Sequence, residues 1–188
     1  MNDISRREKL AHFMKRDALQ FGQFPLSAGG FSSYYIDGRL VTLSAEGARL
    51  VALEVLDILV DFPSVVAVGG PCIGADPIVG ATVALASFYP HSGLYGLCGF
   101  LVRKTAKEHG TKSLIEGPLA PGSTVAIVDD VVTSGGSILT AIRVVEDLGC
   151  KVAVIIVVVD RLSGAREAFF KQWFEFRSIL TVRDLGIK

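Results

Sequence analysis

The stretch "KVAVIIVVV", Lys151 to Val159, is apolar and mostly β-branched at nearly every position. A strand with one wet face alternates polar and apolar residues. A strand that is apolar throughout must be covered on both faces, the usual condition of a parallel sheet. "SVVAV" (64–68) and "TVAIV" (124–128) follow the same rule, and "GLYGLCGFLVR" and "SILTV" read as further strands. Between them, Ala45 to Leu59, Ile78 to Ser87, Gly135 to Leu148 and "DRLSGAREAF" carry helical spacing, with Gly149 placed to end the third of these. Strands alternating with helices predict an α/β fold, a central and mainly parallel sheet flanked by helices. The 188 residues suit one domain, 1–188, without repeat, low-complexity tract or dividing linker. Ahead of the sheet, Ser5 and Glu8 fit a capping box before a helix with Leu10, Phe13 and Met14 inward. "FGQFPLSAGGFSSYYIDGR" reads as hairpin or loop, with "SYYID" as a strand.

In such sheets ligands bind outside the carboxyl ends of the strands. The strand-end segments are therefore the candidates: "GGPCIGADP", "RKTAKEHGTK", "DDVVTSGGS" and "DRLSG". In the third, Thr133, Ser134, Gly135, Gly136 and Ser137 lead into a helix. Small residues leave backbone N–H groups open and the helix N-terminus adds positive charge, which together cradle a phosphate. Asp129 and Asp130 stand beside that cradle, where a carboxylate needs a second task. Accepting hydrogen bonds from sugar hydroxyls is one, and holding Mg²⁺ through water is another. A phosphorylated sugar fits both parts. The bland alternative is a pair of solvated strand-end charges before an ordinary helix cap. Neither GxxxxGK[ST] nor GxGxxG occurs, so neither a P-loop ATPase nor a dinucleotide-dependent dehydrogenase is indicated.

Composition narrows the partners. Lys plus Arg equals Asp plus Glu, at 19 each, which gives no global field for nucleic acid or a membrane surface. Three widely spaced cysteines without a CxxC argue against a disulfide framework or zinc site and for a reducing, cytoplasmic setting. The charged N-terminus lacks an apolar signal core, and the longest apolar run is too short to cross a bilayer.

"VAIVDDVVTSGGS" resembles the phosphoribosyl-diphosphate (PRPP) motif of the type I phosphoribosyltransferases. "RKTAKEHG" resembles the mobile catalytic loop of the orotate phosphoribosyltransferase family, with Arg103, Lys104, Lys107, His109 and Gly110 at matching positions. "VVVDRLSGARE" is similar to that family's Asp-Arg element, and "FGQFPLSAGGFSSYYIDGR" to its N-terminal hood, residues about 20–40. "GGPCIGADPI" is similar to its diphosphate loop. The resemblance implies the type I phosphoribosyltransferase fold and transfer of ribose 5-phosphate from PRPP to orotate, with Mg²⁺ held chiefly by PRPP and Asp129 reaching it through water. It implies that Val131 and Val132 belong to the PRPP-binding residues, that Thr133 to Ser137 hold the 5′-phosphate and that Asp129 and Asp130 take the ribose hydroxyls. Lys107, with Arg103, Lys104 and His109, is implied to stabilise departing diphosphate, a cation cluster brought by a closing loop. Arg161 and Thr133 are implied to place orotate, with Tyr34, Tyr35 and Ile36 beside the base. Gly69, Gly70 and Gly74 are implied to let backbone amides approach diphosphate. Family members are homodimers with shared sites.

Two departures stand out. Ser27 and Gly74 occupy positions where the family commonly has lysine. They leave open a phosphoribosyltransferase for uracil or a purine, against which Arg161 argues, since a neutral base offers no carboxylate. A non-catalytic PRPP sensor is the other alternative, and the intact "RKTAKEHG" argues against it.

Overall fold

The computed structural model describes residues 5–25, 30–88, 93–105 and 113–187. The chain opens with helix α1 (Arg6–Phe13), started by the expected capping box between Ser5 and Glu8. A single wide helical turn, Met14–Ala18, links it to a hairpin of β1 (Leu19–Pro25) and β2 (Phe31–Ile36), the hood. The hairpin is antiparallel, with Leu19 opposite Ile36 and Phe21 opposite Tyr34. After the short α2 (Arg39–Thr42) and α3 (Ala45–Leu59), the sheet begins. In chain order follow β3 (Ala67–Pro71), α4 (Asp76–Ala86), β4 (Cys98–Val102), β5 (Ile115–Glu116), β6 (Thr124–Val132), α5 (Gly136–Asp147), β7 (Lys151–Asp160), α6 (Ala165–Phe170) and β8 (Phe176–Thr181).

The six strands lie in the order β5-β4-β3-β6-β7-β8, parallel except for the short β5. The uniform apolarity of the central strands is explained by their two coverings. Ala126, Val128, Val154, Ile156 and Val158 face one core with α1, α3 and α4. Val125, Ile127, Ile155 and Val157 face the other with α5 and α6. From β3 the chain moves outward to β4 over α4, then returns to the opposite side of β3 and proceeds over α5 and α6. Right-handed crossovers in opposite directions put their helices on opposite faces. The reversal makes a switch point between β3 and β6, where their carboxyl ends diverge and leave a crevice.

Two expectations about strand ends are corrected here. The strand expected at 124–128 runs on through both aspartates to Val132, because β7 keeps pairing with it as far as Val132 opposite Asp160. Its pairing with β3 stops earlier, at Gly69 opposite Ile127. Asp129 and Asp130 thus sit on a strand with one partner lost, open toward the crevice. Likewise the strand expected at 64–68 is displaced to Ala67–Pro71, so Gly69 and Gly70 belong to the sheet and not to the following loop. Gly149, with φ +78°, ends α5 as expected. Among the described residues no helix is long and apolar enough to cross a membrane.

Candidate active site

A cleft of about 680 Å³ opens at the switch point. Its floor is the end of β6, where Asp129 is 6% exposed and Asp130 half-buried. Each aspartate turns back on the chain: Asp129 Oδ1 accepts from the Asp130 N–H at 3.0 Å, and Asp130 Oδ1 from the Val131 N–H at 2.8 Å. Burial pushes the Asp129 carboxyl well above the usual aspartate range, and the neighbouring Asp130 charge adds to the shift. Burial raises Asp130 as well, against the pull of the Val131 N–H and of Arg39. The pair is primed for donors: a hydroxyl hydrogen-bonded to either oxygen set favours the ionised form that burial disfavours.

One wall is the loop after β3. Gly74 lies so close to the acid pair that a Cβ there would stand 2.3 Å from Asp129 Oδ1 and 2.6 Å from Asp130 Oδ1. Gly70 does not share this role. It is buried in β3 and outside the cleft lining, and its missing side chain makes room for the Val128 carbonyl oxygen, 2.0 Å from an ideal Cβ. Gly69 is likewise filled from the Phe100 side. The lack of a side chain at these two positions is explained by strand packing.

The opposite rim is the turn from β6 into α5. Thr133 and Ser137 line the cleft, and Ser134 and Gly136 are exposed beside them. Gly135 precedes α5 in the left-handed region, φ +83°, and no side chain caps this helix, in contrast to the serine caps of α1 and α3. The first-turn N–H groups keep their capacity for an anion. Val131 lines the cleft too, whereas the Val132 side chain is buried in the α5 core.

Cations surround the acids. Arg103 and Lys104 enter the cleft from the end of β4. The Arg103 guanidinium donates to Glu116 Oε1 at 3.4 Å. Lys107 and His109, and Ser27 of the hood, lie outside the described residues. Arg161 enters from the end of β7, and Tyr35 and Ile36 come from the hood. Tyr34, expected beside a base with them, instead packs beneath Arg161, whose Cζ is 4.5 Å from the ring centre, and is not among the cleft residues. The cleft also contains a residue to which sequence reasoning gave no role. Arg39 is fixed by a two-point ion pair with Asp37, at 2.8 and 2.9 Å, and holds the Asp37 carboxyl below the usual range. The "DGR" spacing that closes the hood motif was the available signal.

This assembly offers an acid pair, an uncapped helix N-terminus and several cations around one volume, suited to a phosphorylated sugar and an anionic partner. The comparisons with known proteins agree. The phosphoribosyl transferase domain family matches residues 96–181. The orotate phosphoribosyltransferase of Rhodopirellula baltica is 41% identical over 186 residues, covering 95% of this chain and 93% of that protein. That of Synechocystis sp. is 43% identical over 180 residues, covering 95% of this chain and 88% of its own. Among solved structures, Mycobacterium tuberculosis orotate phosphoribosyltransferase in complex with Fe(III) dicitrate superposes with a TM-score of 0.83 at 36% identity, covering 97% of this chain and 100% of that one. With near-complete coverage at this identity, the chain belongs to the orotate phosphoribosyltransferase family.

Proposed function

We propose that this chain transfers the ribose 5-phosphate of PRPP to orotate, giving orotidine 5′-monophosphate and diphosphate, in the de novo synthesis of UMP. The observation that carries the reading is the convergence, in one cleft, of the acid pair, the α5 N-terminus and Arg161. A related M. tuberculosis orotate phosphoribosyltransferase has been solved in complex with PRPP; at 33% identity it superposes with a TM-score of 0.79.

In this reading the 5′-phosphate lies on the turn from Thr133 to Ser137 and the α5 N-terminus. The ribose hydroxyls donate to Asp129 and Asp130, whose ionised form they stabilise as cationic character develops on the sugar. Arg161 and Thr133 place orotate against Tyr35 and Ile36, and the ring nitrogen of orotate attacks the sugar carbon as the bond to diphosphate breaks. Arg103, Lys104, Lys107 and His109 take the charge that accumulates on diphosphate. Among the described residues no group of three His, Cys, Asp or Glu is placed to hold a metal. The two adjacent carboxylates, Asp129 and Asp130, fit a Mg²⁺ and would help to hold one brought in with PRPP. Such an ion supplies charge neutralisation to the diphosphate. Exposed Leu40, Leu43 and Ile73, beside the cleft, support a homodimer with adjoining sites, and the free cysteines support a cytoplasmic setting.

Two variants separate the roles. Arg161→Ala should weaken orotate by about 100-fold, the scale of a lost two-point contact to a carboxylate, with PRPP affinity nearly unchanged. Titration calorimetry with each ligand reads this, and a fall confined to PRPP would contradict the placement. Lys107→Ala should lower kcat by about 100-fold or more while orotate affinity stays within about threefold. Equal losses in both would remove Lys107 from the transition state.

A further inference from the structure

Arg161 is not a free cation at the cleft edge. Two hydroxyls of the hood strand β2 hold it across the sequence: Nη2 donates to Ser32 Oγ at 3.1 Å and Nε donates to Tyr34 OH at 3.4 Å. The Tyr34 ring lies under the guanidinium, with Cζ 4.5 Å from its centre. Ser32 is itself fixed, because its hydroxyl donates to the Tyr34 carbonyl oxygen at 2.6 Å and accepts from the Tyr34 N–H at 3.3 Å. A guanidinium offers two edges to a carboxylate: a side edge, Nε with Nη2, and an end edge, Nη1 with Nη2. The hood occupies the side edge. Nη1 has no hydrogen-bond partner among the described residues, and Arg161 lines the cleft.

We propose that Ser32 and Tyr34 are positioning residues that hold Arg161 so that only its end edge meets the carboxylate of the acceptor base. The inference rests on the functional reading above, which gives Arg161 that carboxylate. It makes Ser32 and Tyr34, which lie outside the cleft lining, part of base selection through Arg161. An arginine loose on a strand end can turn its fork in many ways and must be ordered by each ligand. Stacking on Tyr34 and bonding to two hydroxyls orders it beforehand, so the ligand's binding is not spent on that ordering. The hydroxyls also carry no charge, so they fix the guanidinium without competing for it as an aspartate or glutamate would.

The test is a double-mutant cycle read in steady-state kinetics. Tyr34→Leu, which removes both ring and hydroxyl, should raise KM for orotate by about tenfold and leave KM for PRPP within about twofold. Ser32→Ala and Tyr34→Phe, each removing one hydroxyl, should give smaller rises in orotate KM alone, and they keep the test available if Tyr34→Leu folds poorly. In an Arg161→Ala background, assayed at high orotate, the same substitutions should change orotate KM by less than about twofold, since the group they position is gone. Equal rises with and without Arg161 would overturn the proposal, as would a parallel rise in KM for PRPP. If the unmodified protein forms no orotidine monophosphate, the functional reading fails and this proposal with it. If it forms product and the cycle is additive, the clamp alone is wrong.

Discussion

Gly74→Ala is expected to lose about 100-fold in kcat/KM for PRPP, the scale that a shift of about 1 Å in a reacting group produces. A methyl group at this position would stand 2.3 Å from Asp129 Oδ1 and 2.6 Å from Asp130 Oδ1, well inside contact distance. Neither carboxylate can yield easily, because each is tied to the next backbone N–H and Asp129 is buried. Either the loop retreats from the floor or the acids turn, and in both cases the cleft floor is deformed. As placed, this loop lies too close to the acid pair to bear a side chain. Gly80, on the exposed face of α4 with open space around it, supplies the control. Gly80→Ala should leave kinetics unchanged and raise stability slightly, since alanine favours a helix interior over glycine by about 1 kcal/mol. Equal kinetic effects at both positions would remove the steric account.

Asp129→Asn should move activity and stability in opposite directions. A buried carboxyl with a raised pKa works against folding. An unfolded aspartate ionises freely above about pH 4, whereas the folded one must ionise in a desolvated place beside Asp130. The penalty is absent below the unfolded pKa, grows as pH rises, and levels off above the folded pKa. Asparagine removes it. The variant should therefore melt higher by about 3–8 °C at pH 8, corresponding to roughly 1–3 kcal/mol, and by less at pH 5. Meanwhile kcat/KM for PRPP should fall by about 100-fold, because the charged acceptor that the proposed function assigns to the ribose hydroxyls is replaced by a neutral amide. Melting scans at the two pH values read the first effect. A shift of the same size at both, or a lower melting point at pH 8, would contradict the desolvation account.

The layers of this fold were legible because hydrophobic patterning is a local signal. The doubly covered strands and Ala45–Leu59 could be placed from residue order alone. What was not legible depended on partners distant in sequence. Two aspartates read as the end of a strand, yet β7 carries the pairing past them to Asp160. Gly69 and Gly70 read as a ligand loop, but they are glycine because Phe100 and the Val128 carbonyl fill their side-chain space. Tyr34 read as a neighbour of the base, and its place under Arg161 depends on a contact between residues 127 apart. Arg39 had its signal in "DGR", but a pairing two residues apart says nothing of the cleft it faces. The cluster around the acid pair was legible for a different reason: the turn from Thr133 into α5 is built from consecutive residues, so its composition survives in the sequence.

The most direct measurement is the reaction itself. Purified protein is incubated with PRPP, Mg²⁺ and one of orotate, uracil or hypoxanthine, and the nucleotide products are identified by mass. The account predicts orotidine 5′-monophosphate with orotate and no nucleotide with the other two bases. Product from uracil or hypoxanthine without product from orotate would contradict it and assign the cleft to a neutral base. PRPP bound with no product from any base would contradict catalysis altogether and leave a sensor in its place.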